Sequence, residues 1–98
     1  MLRRAWWHGF SAVQSDEDFM VWLRGPRQGL EYREGDHVMR IGLETASTPD
    51  VDWIVHFRPC RWTSPYESDS ILDDKCAQIR QRILSALDFL KVKYIIAE

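Results

Sequence analysis

Between Ser70 and Leu90 the residues Leu72, Cys76, Ile79, Ile83, Leu87 and Leu90 recur at spacings of three and four, which places them on one stripe of an α-helix. Such a stripe is stable only against a second apolar layer, so the rest of the chain has to supply a matching face. Ser70 and Asp73 form a capping-box-like pair at its start. Asp73 and Asp74 put negative charge where the free N–H groups of a first turn point. The other side carries Asp74, Lys75, Gln78, Arg80, Gln81, Arg82, Ser85 and Asp88, the pattern of a solvated surface. Past Leu90 the period shortens to two over residues 91–96, which predicts a short closing strand.

The matching face is written upstream at period two. Residues 30–44 read as a hairpin: Leu30 and Tyr32 face one way, as do Met39, Ile41 and Leu43, and Glu34-Gly35-Asp36 supplies turn residues. Trp53, Val55 and Phe57 give a third alternating face, and residues 6–13 a further strand. Residues 19–24 alternate at Phe19, Val21 and Leu23 and read as strand, although Ser15 and Asp18 before them and Gly25-Pro26 after them would also suit a helix. The expected architecture is a two-layer α+β fold. It has an antiparallel sheet of about four to six strands packed on one long C-terminal helix, with a short final strand. At 98 residues, it forms a single domain over residues 1–98.

Several chemistries are excluded by what these residues lack. Thirteen Lys and Arg against fifteen Asp and Glu give a net charge of −2, which provides no sequence-independent grip on a phosphate backbone. Ten of the cations are Arg, which favours planar pairing with carboxylates. His8, His37 and His56 lack metal-ligand spacing, and no glycine-rich phosphate loop or nucleophile elbow is present. His56 lies opposite Trp53, Val55 and Phe57 on its strand, as an exposed or cross-strand hydrogen-bonded imidazole. Cys60 and Cys76 form no close pair and match no zinc or redox spacing, so two reduced thiols in the cytoplasm are expected, Cys76 as a small apolar packer. No window has the apolar length of a signal peptide or membrane span. The expectation is a monomer that is not an enzyme and that carries no cofactor, metal, membrane contact or direct nucleic-acid contact.

What folding does not absorb points to a protein partner. The loop over residues 59–69 holds Arg61, Trp62 and Tyr66 and is stiffened by two prolines, Pro59 and Pro65. These are interface types, although Trp62 and Tyr66 would equally serve by folding back over the open edge of the core. Carboxylates cluster as Asp16-Glu17-Asp18, Asp50 with Asp52, Glu67 with Asp69, and Asp73-Asp74.

Taken together, Tyr32-Arg33-Glu34-Gly35-Asp36, a strand ending in Glu44, an aromatic-rich strand, the segment Trp62-Thr63-Ser64-Pro65, and a helix with a closing Tyr94-Ile95-Ile96 resemble small α+β immunity proteins of bacterial polymorphic-toxin and contact-dependent-inhibition systems. The likeness spans about residues 28–96 and departs from the pattern where Lys91 stands in place of a glycine between helix and last strand. It implies a cytoplasmic protein that binds and neutralises a cognate toxin domain, commonly a nuclease. Because a nuclease is basic where it meets phosphate, the residues expected to meet it are Asp16, Glu17, Asp18, Asp50, Asp52 and Glu67, with Trp62 and Tyr66 as ring anchors. Two other readings stay open: a small assembly or secretion-chaperone module, and a small-ligand-binding α+β domain, which an unoccupied pocket would favour.

Overall fold

The structure, a computed structural model, describes residues 1–7 and 10–97; His8, and with it any role as a ligand, lies outside the described residues, as do the side chains of Trp6, Trp7 and Phe10. Seven strands precede or follow one helix: β1 Leu2–Trp7, β2 Phe10–Ser15, β3 Phe19–Gly25, β4 Gly29–Glu34, β5 His37–Thr45, β6 Trp53–His56, α1 Asp73–Phe89 and β7 Tyr94–Ala97. They form one sheet whose spatial order is the chain order. Neighbours from β1 to β6 run antiparallel, and α1 carries the chain back so that β7 lies parallel to β6.

The α+β architecture and short last strand are as expected, but the sheet has seven strands rather than four to six. The difference lies at the N-terminus, where a single strand is expected over residues 6–13 and two antiparallel strands, β1 and β2, are found, with Leu2 opposite Ser15 and Trp7 opposite Phe10. Residues 19–25 are strand. Pairing with β2 and β4 on both sides decides what the local sequence left ambiguous.

The alternating positions bury as their period predicts. Val13, Val21, Leu30, Tyr32, Met39, Ile41, Leu43 and Val55 face α1, which contributes Ile79, Ile83, Ala86 and Leu87 to the same core. Gly35 has φ +59°, as the first central position of a two-residue II′ hairpin turn requires. Gly29 also has positive φ, and a Cβ there would run into the Ile41 carbonyl oxygen, so glycine alone lets β4 approach β5 at this point.

Both helix ends differ from expectation. The helix starts at Asp73 rather than Ser70, its N-cap residue Leu72 makes no side-chain cap hydrogen bond, and Leu72 is 77% exposed. At the other end Lys91, with φ +60°, occupies the left-handed position that glycine usually takes. Lys91 N donates to Asp88 O and Val92 N to Leu87 O, both at 3.0 Å, the paired bonds of a Schellman motif. A lysine thus fills, in the left-handed conformation, a position that glycine usually takes.

The cysteine reading is corrected. Cys60 and Cys76 are joined as a disulfide, their Cα atoms 6.2 Å apart across a sequence separation of 16. Neither is a free thiol, because the chain after β6 turns back and sets Cys60 against the first turn of α1. The redox argument for a cytoplasmic address therefore loses its premise. No helix is long and apolar enough to cross a membrane, among the described residues.

Candidate functional site

Because the strands alternate in direction, the β2–β3 turn, the β4–β5 turn and the start of α1 come to one end of the sheet. The segment after β6 is tied to the same end. Thr63 N and Oγ1 both donate to Val38 O, at 2.8 and 3.0 Å, and further turns follow as Tyr66 N donates to Thr63 O and Asp69 N to Tyr66 O.

This latch explains what becomes of the loop aromatics. Phe19, Tyr32, Trp62, His37 and Tyr66 form a ladder of rings with successive centroid separations of 5.8, 6.4, 5.0 and 3.9 Å. Trp62 is 7% exposed and belongs to the core. Of the two roles open to it, folding back over the core edge is the one it adopts, so its ring is not presented as an anchor. Tyr66 ends the ladder half-buried, stacked on His37, whose Nε2 lies 3.3 Å from Asp69 Oδ2. His56 takes the cross-strand role expected of it, 3.0 Å from Glu44 Oε1.

A polar cluster beneath this end escaped the sequence reading. Glu34 lies between sheet and helix, where Lys75 Nζ and Arg82 Nη1 each donate to Oε1 at 2.8 Å and the Tyr32 hydroxyl donates at 2.6 Å. Arg82 Nη1 also donates to the Tyr32 hydroxyl at 2.9 Å. Burial pushes the Glu34 carboxyl up, but hydrogen bonds from Lys75 and Tyr32 and the charges of Lys75 and Arg82 outweigh it and hold the group below its ordinary value. For Tyr32, burial and the bond it donates to Glu34 raise the hydroxyl well above the usual phenol range. Lys75 and Arg82 are therefore not solvated surface, as read above, but the helix's tie to β4. The available signal was phase: Glu34 shares the alternation of Leu30 and Tyr32, so it faces inward.

Around this cluster the fold gathers carboxylates that are scattered in sequence. Asp16, Glu17 and Asp18 stand exposed on the β2–β3 turn and Asp36 on the β4–β5 turn. Glu67 and Asp69 stand on the latched loop, and Asp73 and Asp74 open the helix. Lys75 and Arg82 are committed to Glu34, Arg82 also lying 3.6 Å from Glu17. Arg58 and Arg61 are the exposed counter-charges of the same loop, and the end keeps a negative excess.

Asp50 and Asp52 do not join it. They precede β6 at the opposite end of the sheet, the length of β5 away, roughly 27 Å for nine residues. Asp52 is spent locally: its Oδ2 accepts from Lys93 N at 3.0 Å, and its own N–H donates to Lys93 O. The six predicted carboxylates therefore divide four and two between the ends.

The helix-free face holds a second cluster. Ala5, Ala12, Trp22, Glu31 and Arg40 form a row of register partners across five strands. Glu31 is buried there within 3.7 Å of Arg24, Arg33 and Arg40, and the Arg24 guanidinium lies 4.2 Å from the Trp22 ring centroid. Three cations enclose one carboxylate, and two of them, Arg24 and Arg33, lie over the ring of Trp22, which is buried. Among the described residues, no group of three or more His, Cys, Asp or Glu is arranged to hold a metal ion. Compared with family models, curated proteins and solved structures, the chain matches none.

Proposed function

We propose that this chain is a non-enzymatic immunity protein that binds a cognate bacterial toxin domain, a nuclease, and neutralises it by protein–protein contact. The observation that carries the reading is the acidic end: eight exposed carboxylates, from two turns, one loop and the first turn of a helix, share one end of the sheet. Such a surface attracts the basic cleft in which a nuclease holds phosphate, and it accelerates encounter by steering. Asp16, Glu17, Asp18 and Glu67 act there, with Tyr66 as the ring still within a partner's reach. Asp50 and Asp52 lie outside this surface. The same negative field repels nucleic acid, and the proposal is of a monomer that acts on a protein target and not on a membrane.

The test is co-expression with the toxin domain encoded immediately upstream, followed by affinity capture. A stable one-to-one complex and loss of nuclease activity are expected. A neighbouring gene without a toxin domain, or a domain that does not bind, overturns the reading. The cytoplasmic address belongs to the same proposal and is tested by trapping thiols with a maleimide in intact cells. Both cysteines react in a reducing compartment, whereas an intact disulfide marks an oxidising one and removes the cytoplasmic address.

A further inference from the structure

A cleft of about 790 Å³ opens between the N-terminal half of α1, the middle of β5 and the segment that follows β6. Its volume falls within the range of sites that hold small organic ligands, about 300–1,000 Å³. Met39, Ile41, Phe57 and Ile79 give it an apolar lining, and the Cys60–Cys76 disulfide ties the wall made by the segment to the wall made by the helix. Walls joined covalently keep their spacing, so little ordering of the protein opposes the entry of a ligand.

The charged side chains at the cleft favour neither an anion nor a cation. Arg58 and Asp73 are exposed and of opposite sign, and the Arg80 guanidinium is engaged, 5.0 Å from the Phe57 ring centroid. Among the described residues, no hydroxyl, amide or imidazole side chain lines the cleft. A polar group carried into it loses water without gaining a hydrogen-bond partner, and an ion loses more. We infer that this cleft is a binding site for a small uncharged molecule with a hydrocarbon body, which lies against Met39, Ile41, Phe57 and Ile79. The inference does not rest on the toxin-binding reading, because its ligand is a small molecule and its test contains no protein partner.

The experiment is a titration of the isotope-labelled full chain with butanol, hexanol and octanol, and with octanoate and octylammonium, followed by amide chemical shifts. Saturable binding of octanol is expected, with shifts centred on residues 57–60 and 76–80 and an affinity that rises about fourfold per methylene along the alcohol series. Octanoate and octylammonium keep their charged ends in water and draw the adjoining methylene out with them, so both bind about fourfold or more weaker than octanol. Ala77→Trp, at an exposed helix position on the cleft, takes up part of its volume and weakens octanol by about fourfold or more. Gln81→Trp, exposed on the same helix outside this cleft, leaves octanol binding unchanged. The alcohol series is read on the unaltered chain and needs neither variant. No saturable binding of octanol, an affinity independent of chain length or shifts centred elsewhere overturns the inference, as does an ion that binds as tightly as octanol, or octanol binding that Ala77→Trp leaves intact.

Discussion

At the scale of single residues, two positions set against their surroundings carry sharp predictions. Glu34 is a carboxylate placed in phase with an apolar strand face, and it is tolerated there because Lys75, Arg82 and Tyr32 all donate to it. Its folded-state pKa lies below its unfolded one, so the stability it contributes is present above the ordinary carboxylate value of about 4.3 and is lost as pH falls through the folded value. Glu34→Gln is expected to destabilise the protein by about 2 kcal/mol at pH 7, since charge-assisted hydrogen bonds contribute more than neutral ones. That deficit should shrink as pH falls through the folded value, where the native side chain takes up its proton. Urea titrations at pH 7, 5 and 3 read both effects, and a deficit independent of pH would show that the cluster does not depend on ionisation. Lys91 is the second position. Its left-handed backbone costs a side-chain-bearing residue about 1–2 kcal/mol, against a glycine entropy cost of about 0.5–1 kcal/mol, so Lys91→Gly is expected to raise stability by about 0.5–1 kcal/mol. A rise in the thermal midpoint checks it, and a fall would mean that the lysine side chain holds something the backbone argument omits.

At the scale of elements, the segment between β6 and α1 behaves as structure. It contains two cis peptide bonds, Arg58–Pro59 and Ser64–Pro65; Thr63 pins it to β5, Trp62 buries its ring beside Tyr32, and Cys60 bonds it to the helix. Cross-links that close a loop of about 15 residues stabilise by about 3 kcal/mol, chiefly by restricting the unfolded chain. Reduction, or Cys60→Ser, is therefore expected to lower the urea midpoint by an amount equivalent to about 3 kcal/mol. An unchanged midpoint would mean that Thr63 and Trp62 alone hold the segment. The helix start follows from the same arrangement. With Ser70 unused as a cap, α1 begins where Cys76 and Lys75 are fastened, to Cys60 and Glu34 respectively.

At the scale of the molecule, the fold separates charge that the chain distributes evenly. Fifteen acids and thirteen bases nearly cancel, yet eight exposed carboxylates share one end and three arginines surround Glu31 on the helix-free face. The variant Asp16→Asn/Asp18→Asn/Glu67→Gln keeps the turn chemistry, because Asn adopts the left-handed conformation of Asp18 as readily as Asp. Its stability should stay within about 0.5 kcal/mol of the parent, as surface changes do. Its association rate with the proposed toxin partner should fall by about tenfold at low salt, with a shallower dependence on ionic strength. Stopped-flow mixing at several salt concentrations measures this. A parent rate that does not vary with salt would remove the acidic end from the interface.

The sequence by itself determined the layers. Period 3.6 over the last third and period two upstream are local geometric facts, so the helix, the inward residues of β3 to β6 and the α+β class could be read directly. Interactions between residues distant in sequence were decided only by the tertiary structure. Cys60 meets Cys76 because a loop returns, Glu34 meets Lys75 and Arg82 because the helix crosses β4, and Trp62 is buried because Thr63 holds it beside Tyr32. The acidic residues divide between two ends because antiparallel strands send successive turns in opposite directions. Periodicity records which way a side chain faces, whereas the partner it meets depends on how separate elements are brought together.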